Sequence, residues 1–155
     1  MPAGVLRRVW WRLIRFGFRL LYNELAWTYD CVSRFVSLGQ WRDWQRTALP
    51  HLGPPGSRVL ELAHGTGDLQ LDLLSAGYAP AGLDLSRHMG RIALRKLRRH
   101  GVGSPCLTRG SAYHLPFGAQ TFDAVVSTFP TPFILQAEVL GEANRVLRPH
   151  GRLVI

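Results

Sequence analysis

The residues best suited to hold a small molecule lie within Val59-Leu-Glu-Leu-Ala-His-Gly-Thr-Gly-Asp68. There an apolar run of strand character passes into a glycine-bearing turn and then into a helical pattern. A strand, turn and helix in that order form a nucleotide cradle. Gly65 and Gly67 remove Cβ atoms where backbone must approach a ligand, and Ala63 is the next smallest choice at the preceding alternate position. A dinucleotide fingerprint requires a third glycine three residues after Gly67, but that residue is Gln70. Glu61, inside the cradle, would repel a diphosphate and suits a ligand that carries an ammonium group. Asp84 stands seventeen residues after Gly67, at the end of the next apolar run, where a carboxylate can accept both hydroxyls of a ribose. The pattern predicts an unphosphorylated nucleoside with a cationic tail and argues against a nicotinamide cofactor.

The elements that must position these residues alternate short apolar runs with helical periodicity, as in a parallel sheet covered by helices. Residues 23–49 read as helical with a break near Gly39, and His51-Leu-Gly-Pro-Pro-Gly56 is a turn cluster. Strands are expected at Arg58–Leu62, up to Asp84, near Pro105–Arg109, at Phe122–Ser127 and at Arg152–Ile155. Helices are expected over Asp68–Leu74, from an N-cap at Ser86 to about His100, and over Gln136–Leu147, with Pro149-His-Gly151 as a turn. A fifth strand reaching the last residue has the character of sheet interior, which leaves two readings open: a C-terminally incomplete sheet, or a natural short form or partner chain that covers the edge.

Composition narrows the class. The 155 residues, 46% hydrophobic and 19% charged, suit one globular domain and not a disordered chain. Cys31 and Cys106 show no ligand spacing, so neither a disulfide framework nor a zinc site is expected, and a cytoplasmic setting is the default. The net charge is +9, and residues 1–22 hold five arginines and no acid. On a helix Arg8, Arg12, Arg15 and Arg19 share one stripe, with Leu6, Val9, Trp10, Leu13, Phe16 and Leu20 opposite. Arginine interrupts the apolar run too often for a signal peptide or a transmembrane span. Two readings stay open: residues 5–22 dock on an anionic membrane surface as a peripheral anchor, or the apolar side packs on the domain. No nucleic-acid partner is expected, because basic and aromatic residues do not recur along the later chain.

The residues from about Tyr29 onward resemble the class I S-adenosylmethionine-dependent methyltransferases. Glu61–Gly67 looks like the family's first motif, Asp84 matches its ribose-binding acid, and Gly110-Ser-Ala-Tyr-His-Leu-Pro-Phe117 is similar to its adenine-binding loop. Phe122–Val126 resembles the fourth strand, and Glu142–Val154 the segment leading into the fifth. Tyr29-Asp30, Ser37, Gly39, Arg42, Trp44, Arg46 and Gly65–Leu69 resemble the ubiquinone/menaquinone C-methyltransferase branch.

The resemblance implies an α/β, three-layer Rossmann-like parallel sheet over 57–155 preceded by a helical lid over 23–52, and the stripe pattern adds a cationic amphipathic helix over 1–22. It implies an S-adenosylmethionine site made of Tyr29, Glu61, Ala63, Gly65, Thr66, Gly67, Asp84, Leu85, Ser111, Ala112 and Ser127, with a small lipophilic methyl acceptor. Ser111 replaces a common aspartate, which removes a charge from the adenine contact and costs about 1 kcal/mol. His150 stands where a glycine is frequent. His64, His88 and His114 are the nearest candidates for a base, and none is assigned. A non-catalytic protein of the same fold, docking through its basic helix, is the alternative.

Overall fold

In the computed structural model, residues 41–128 and 132–155 are described. The expected helix over 1–22, Tyr29 and residues 23–40 of the expected lid lie outside them.

Five strands form one parallel sheet: β1 Arg58–Leu62, β2 Ala79–Asp84, β3 Leu107–Arg109, β4 Phe122–Val126 and β5 Leu147–Val154, in the spatial order β3-β2-β1-β4-β5. Four helices accompany them: α1 Trp41–Arg46, α2 Asp68–Ser75, α3 Arg87–Arg99 and α4 Ala137–Val146. The helices α2, α3 and α4 each carry the chain from one strand to a parallel one. Strand side chains alternate between two apolar layers, as they must in a sheet covered on both faces. Val59 joins Ala48, Leu52, Leu69, Leu73, Ala124 and Val126 on the side of α1 and α2. Leu60 and Leu62 join Ala81, Leu83, Ile134, Val139, Ala143 and Val146 on the side of α4.

Helix starts follow local chemistry. Ser86 caps α3, its Oγ accepting from Met89 N at 3.3 Å. Lys96, Arg98 and Arg99 fill the last turn of α3, where the helix dipole favours positive charge.

The expected boundaries hold for most elements and fail at the last corner. α4 ends at Val146, and Leu147 already pairs with Phe122. The next paired residues are Ala124 and Arg152, so residues 148–151 bulge out of β5 instead of forming a turn that precedes it. Asp123 fastens this corner by accepting from Arg148 Nη1 and from Arg58 N, each at 2.8 Å. His150 adopts φ +65°, a left-handed conformation that strains a side chain with a Cβ. At Gly151 a Cβ would fall 2.9 Å from the Arg148 carbonyl oxygen, which requires glycine. Because His150 is exposed and strained, His150→Gly is expected to stabilise the fold by about 0.5–1 kcal/mol, read as a rise in urea midpoint at unchanged slope.

Candidate functional site

The carboxyl ends of β1, β2 and β3 converge on one residue pair. Beyond Leu62 the chain turns across β2, with Ala63 N donating to Leu83 O at 2.8 Å and His64 N to the same oxygen at 3.3 Å. Ala63 takes φ +58°, Gly65 +53° and Gly67 +85°, so this turn bends through left-handed backbone at a non-glycine position as well. That bend points Gly65 N at Asp84, whose Oδ2 accepts from it at 2.9 Å. Asp84 Oδ1 accepts from Ser86 N at 2.7 Å, and its main-chain oxygen accepts from Gly110 N at 3.0 Å. One aspartate therefore joins the turn after β1, the start of α3 and the loop after β3.

The two glycines of the turn have different reasons for being glycine. A Cβ on Gly65 would meet no atom within 4 Å, so space is open at that point of the turn. On Gly67 it would stand 2.9 Å from the Ala93 Cβ, inside α3. Gly65 thus leaves room for a ligand, and Gly67 lets α3 close against α2.

Beneath the turn lies a buried polar layer. Glu61 is only 2% exposed and accepts from Gln70 Nε2 at 2.7 Å. It does not open on the cradle as sequence reasoning expected, because its position on β1 points it at α2. Burial pushes its carboxyl up to about 8, against the opposing hydrogen bond from Gln70. His64 is also buried, its Nδ1 2.9 Å from the Gly65 oxygen, and burial lowers its pKa. Its ring occupies the space a side chain at Gly82 would need, where a Cβ would fall 2.9 Å from His64 Cδ2. A neutral ring that donates to a carbonyl and fills a sheet position is a packing element, not a base in the cleft. Thr66 is buried, and Lys96 Nζ donates to its Oγ1 at 3.2 Å and to Asp68 Oδ2 at 3.0 Å, tying α3 to the first turn of α2.

The remaining candidates divide between rim and interior. Leu85 is 69% exposed beside Asp84. Ser111 and Ala112 follow Gly110, with Ser111 Oγ accepting from Tyr113 N at 3.3 Å and Ala112 packed into the core. Ser127 is fully buried, and its hydroxyl donates to Leu62 O at 3.2 Å, so it braces β4 against β1. His88 and His114 are exposed.

Sequence reasoning missed the devices that hold this edge. Glu142 of α4 accepts from Leu115 N and Arg145 Nε, each at 2.6 Å, while Arg145 donates to Phe117 O at 2.8 Å and Leu115 O at 3.0 Å. This pair clamps the loop that contains Ser111. Arg145 holds the Glu142 carboxyl down to about 2. On the other side, Asp72 of α2 receives Arg42 Nε at 3.0 Å, Arg42 Nη2 at 2.9 Å and Arg46 Nη2 at 3.0 Å, which docks α1. Burial alone would raise the Asp72 pKa, and the two guanidiniums reverse that. Gln45 of α1 reaches Thr128, just past β4, with Nε2 3.1 Å from its Oγ1. The acid at position 142 and the base three residues on were visible as a helical pair, but nothing local indicated what they would clamp.

Strand order, layer arrangement and an aspartate bridging the first turn to the second strand define a class I methyltransferase fold of the S-adenosylmethionine-dependent type. A protein from Methanococcus maripaludis described as a putative S-adenosyl-L-methionine-dependent methyltransferase superposes with TM-score 0.73 at 19% identity, over 86% of this chain and 63% of that one. Geranyl diphosphate C-methyltransferase from Streptomyces coelicolor superposes with TM-score 0.64 at 18% identity, over 70% and 42%. Within that class, residues 18–155 match the ubiE/COQ5 methyltransferase family, and the chain belongs to it. A ubiquinone/menaquinone biosynthesis C-methyltransferase from Syntrophotalea carbinolica is 39% identical over 142 residues, 88% of this chain and 59% of that protein. A demethylmenaquinone methyltransferase from Beutenbergia cavernae is 39% identical over 137 residues, 87% and 55%. The chain thus spans under three-fifths of the length of these two relatives. S-adenosylmethionine is the cofactor of this family, and the open Gly65 turn beside the Asp84 carboxylate fits it.

Two acids make opposite pH signatures. Glu61 carries a pKa raised from an unfolded value near 4.3 to about 8, so the native state is penalised as pH rises through that interval. Glu61→Gln, which stays neutral, is expected to match wild type below about pH 4 and to exceed it increasingly toward pH 8, in denaturant titrations across pH. Glu142 is depressed to about 2, so its stabilisation is complete above about pH 4.3 and fades as pH falls toward 2. Glu142→Gln is expected to lose roughly 1 kcal/mol at pH 7, with the deficit shrinking below pH 4.3.

Proposed function

We propose that this chain transfers a methyl group from S-adenosylmethionine to a small, lipophilic acceptor of the quinone-precursor type. The single observation that carries the reading is the Asp84 carboxylate held 2.9 Å from Gly65 N beside an open turn. A carboxylate offers about four acceptor positions. Two are taken by Gly65 N and Ser86 N, which leaves lone pairs for two ribose hydroxyls. Leu85, exposed next to Asp84, covers one face of the adenine, and Ser111 with Ala112 borders its edge. Thr66, Gly67 and Ala63 act through the shape of the turn, and Ser127 through the bracing of β4.

When bound, S-adenosylmethionine supplies an electrophilic methyl on its sulfonium. The protein's part is to align that methyl with the nucleophile and exclude water, which can provide much of the rate enhancement without a dedicated catalytic side chain. No histidine is assigned as base. The acceptor class is supported by the relatives named for ubiquinone, menaquinone and demethylmenaquinone chemistry. Leu85, Tyr113 and Leu135, on the segments that follow β2, β3 and β4, are exposed large apolar side chains, which suits such an acceptor. The reaction is placed in the cytoplasm, with residues 5–22 as the contact to an anionic membrane in which such acceptors dissolve. Among the described residues no helix is long and apolar enough to cross a membrane. The non-catalytic alternative is not favoured.

Calorimetric titration with S-adenosylhomocysteine tests the reading. Binding is expected in wild type, and Asp84→Ala is expected to lose about 100-fold in affinity, the size of two charge-assisted hydrogen bonds. Transfer of labelled methyl to a naphthoquinol tests the acceptor class. Absence of S-adenosylhomocysteine binding at millimolar concentration by folded protein overturns the proposal.

A further inference from the structure

Positive charge is concentrated on one helix of the described surface. Residues 85–122 hold seven lysines and arginines and no acid, and six of the seven lie on α3. Lys96 is turned inward, to Asp68 at 3.0 Å. The five arginines of α3, Arg87, Arg91, Arg95, Arg98 and Arg99, are all exposed, as is His88. At about 100° per residue these six side chains fall within an arc of about 120°, opposite the buried Met89, Ala93 and Leu97. Arg109, exposed at the end of the edge strand β3, joins the head of this row by donating from Nε to Leu85 O at 3.2 Å. Among the described residues none of these six arginines forms an ion pair.

Helix stability does not account for this face. Arg98 and Arg99, in the last turn, meet the negative end of the helix dipole and are favoured there. Arg87 opens the helix, in a first turn that contains no acid, where the dipole opposes a positive charge. Arg87, Arg91, Arg95 and Arg99 also stand four apart in succession, so like charges repel along the whole row. The preceding acid in the chain, Asp84, already accepts from Gly65 N and Ser86 N. A face that only had to stay in water would be served as well by interspersed signs. A row of arginine instead suits phosphate, which the planar guanidinium engages through two parallel hydrogen bonds.

The row extends for about 18 Å, at about 1.5 Å per residue, and α3 carries no aromatic or amide side chain. It offers nothing for stacking on bases or reading their edges, which a nucleic-acid partner would use. A layer of phosphate headgroups needs neither. The head of the row adjoins Leu85, 69% exposed beside Asp84, so a surface lying along α3 also reaches the carboxyl edge of the sheet. We propose that the arginine face of α3, with Arg109, docks on the anionic headgroups of a phospholipid bilayer; the choice of a lipid surface rests on the lipophilic acceptor proposed above. This contact is separate from the one assigned to residues 5–22. It brings the edge where Asp84 stands to the layer in which such an acceptor dissolves.

Co-sedimentation of the full chain with phosphatidylcholine vesicles, with and without phosphatidylglycerol, tests the proposal. Binding is expected only where phosphatidylglycerol is present, and it is expected to fall steeply with salt, because the Debye length shrinks from about 10 Å at about 0.1 M to about 3 Å at about 1 M. Arg91→Gln combined with Arg95→Gln is expected to lose about 30-fold in affinity, each arginine at the surface being worth about fivefold. Removing the same charge elsewhere, by Arg58→Gln combined with Arg152→Gln, is expected to cost less than about threefold. Arg91→Lys combined with Arg95→Lys keeps the charge and is expected to keep most of the affinity. The α3 glutamine variant is expected to melt no lower than wild type, since it relieves repulsion within the helix, so its loss of docking is not a loss of fold. Equal losses in the two glutamine variants, no loss in the α3 variant, or equal binding to vesicles without phosphatidylglycerol overturns the proposal. So does a duplex RNA that binds more tightly than the vesicles at the same salt and weakens in the α3 variant, which assigns the face to nucleic acid. Wild type that docks through α3 but neither binds S-adenosylhomocysteine nor methylates a naphthoquinol overturns the reaction proposed above and leaves the docking surface standing.

Discussion

The site depends on the Asp84 carboxylate. It accepts main-chain hydrogen bonds from Gly65 on one side and Ser86 on the other, and its own carbonyl receives Gly110. Three segments that follow three strands are thereby fixed to one residue at the tip of β2. A charged acceptor strengthens both side-chain bonds, and its placement at the start of α3 is favoured by the helix dipole. Without this tie the Gly65 N–H would lose its partner, and the turn after β1 would hang on the bonds of Ala63 N and His64 N to Leu83 O. The same carboxylate still has acceptor capacity, so the group that builds the cleft is also the one left open to a ligand's hydroxyl groups.

Under the turn, polar groups are buried in small closed sets. Glu61 is matched by Gln70, His64 by a carbonyl, and Thr66 and Asp68 by Lys96. Each set is costly to open, because a partner removed from a buried polar group leaves the other unsatisfied. This fixes the floor of the cleft, while Leu85 beside Asp84 stays exposed above it. Outer clamps complete the arrangement: Arg42 and Arg46 on Asp72 hold α1 to α2, and Glu142 with Arg145 holds the loop after β3 to α4.

Much of this was legible in the sequence. The strands are short apolar runs bounded by glycine and proline, Ser86 is an N-cap in a pattern that admits few alternatives, and the spacing from Gly67 to Asp84 is that of a strand, a helix and a strand. What local pattern could not supply was direction and distance. Glu61 looked like a cradle residue because its neighbours are, yet strand alternation turns it toward α2. Asp72 lies 26 and 30 residues from its arginines, and Gln45 lies 83 from Thr128, so nothing in either neighbourhood announces the contact. At the final corner, the bulge depends on pairing across β4, which the run Leu147–Val154 does not reveal by itself.

Gly67 and Ala93 touch where a single methyl decides how closely two helices approach. The pair works as a spacer: a side chain at 67 would press α3 outward, and with it Ser86, whose main-chain nitrogen donates to Asp84. Ala93, in the middle of a helix whose head meets Asp84, therefore shapes the carboxyl edge of the sheet through packing alone.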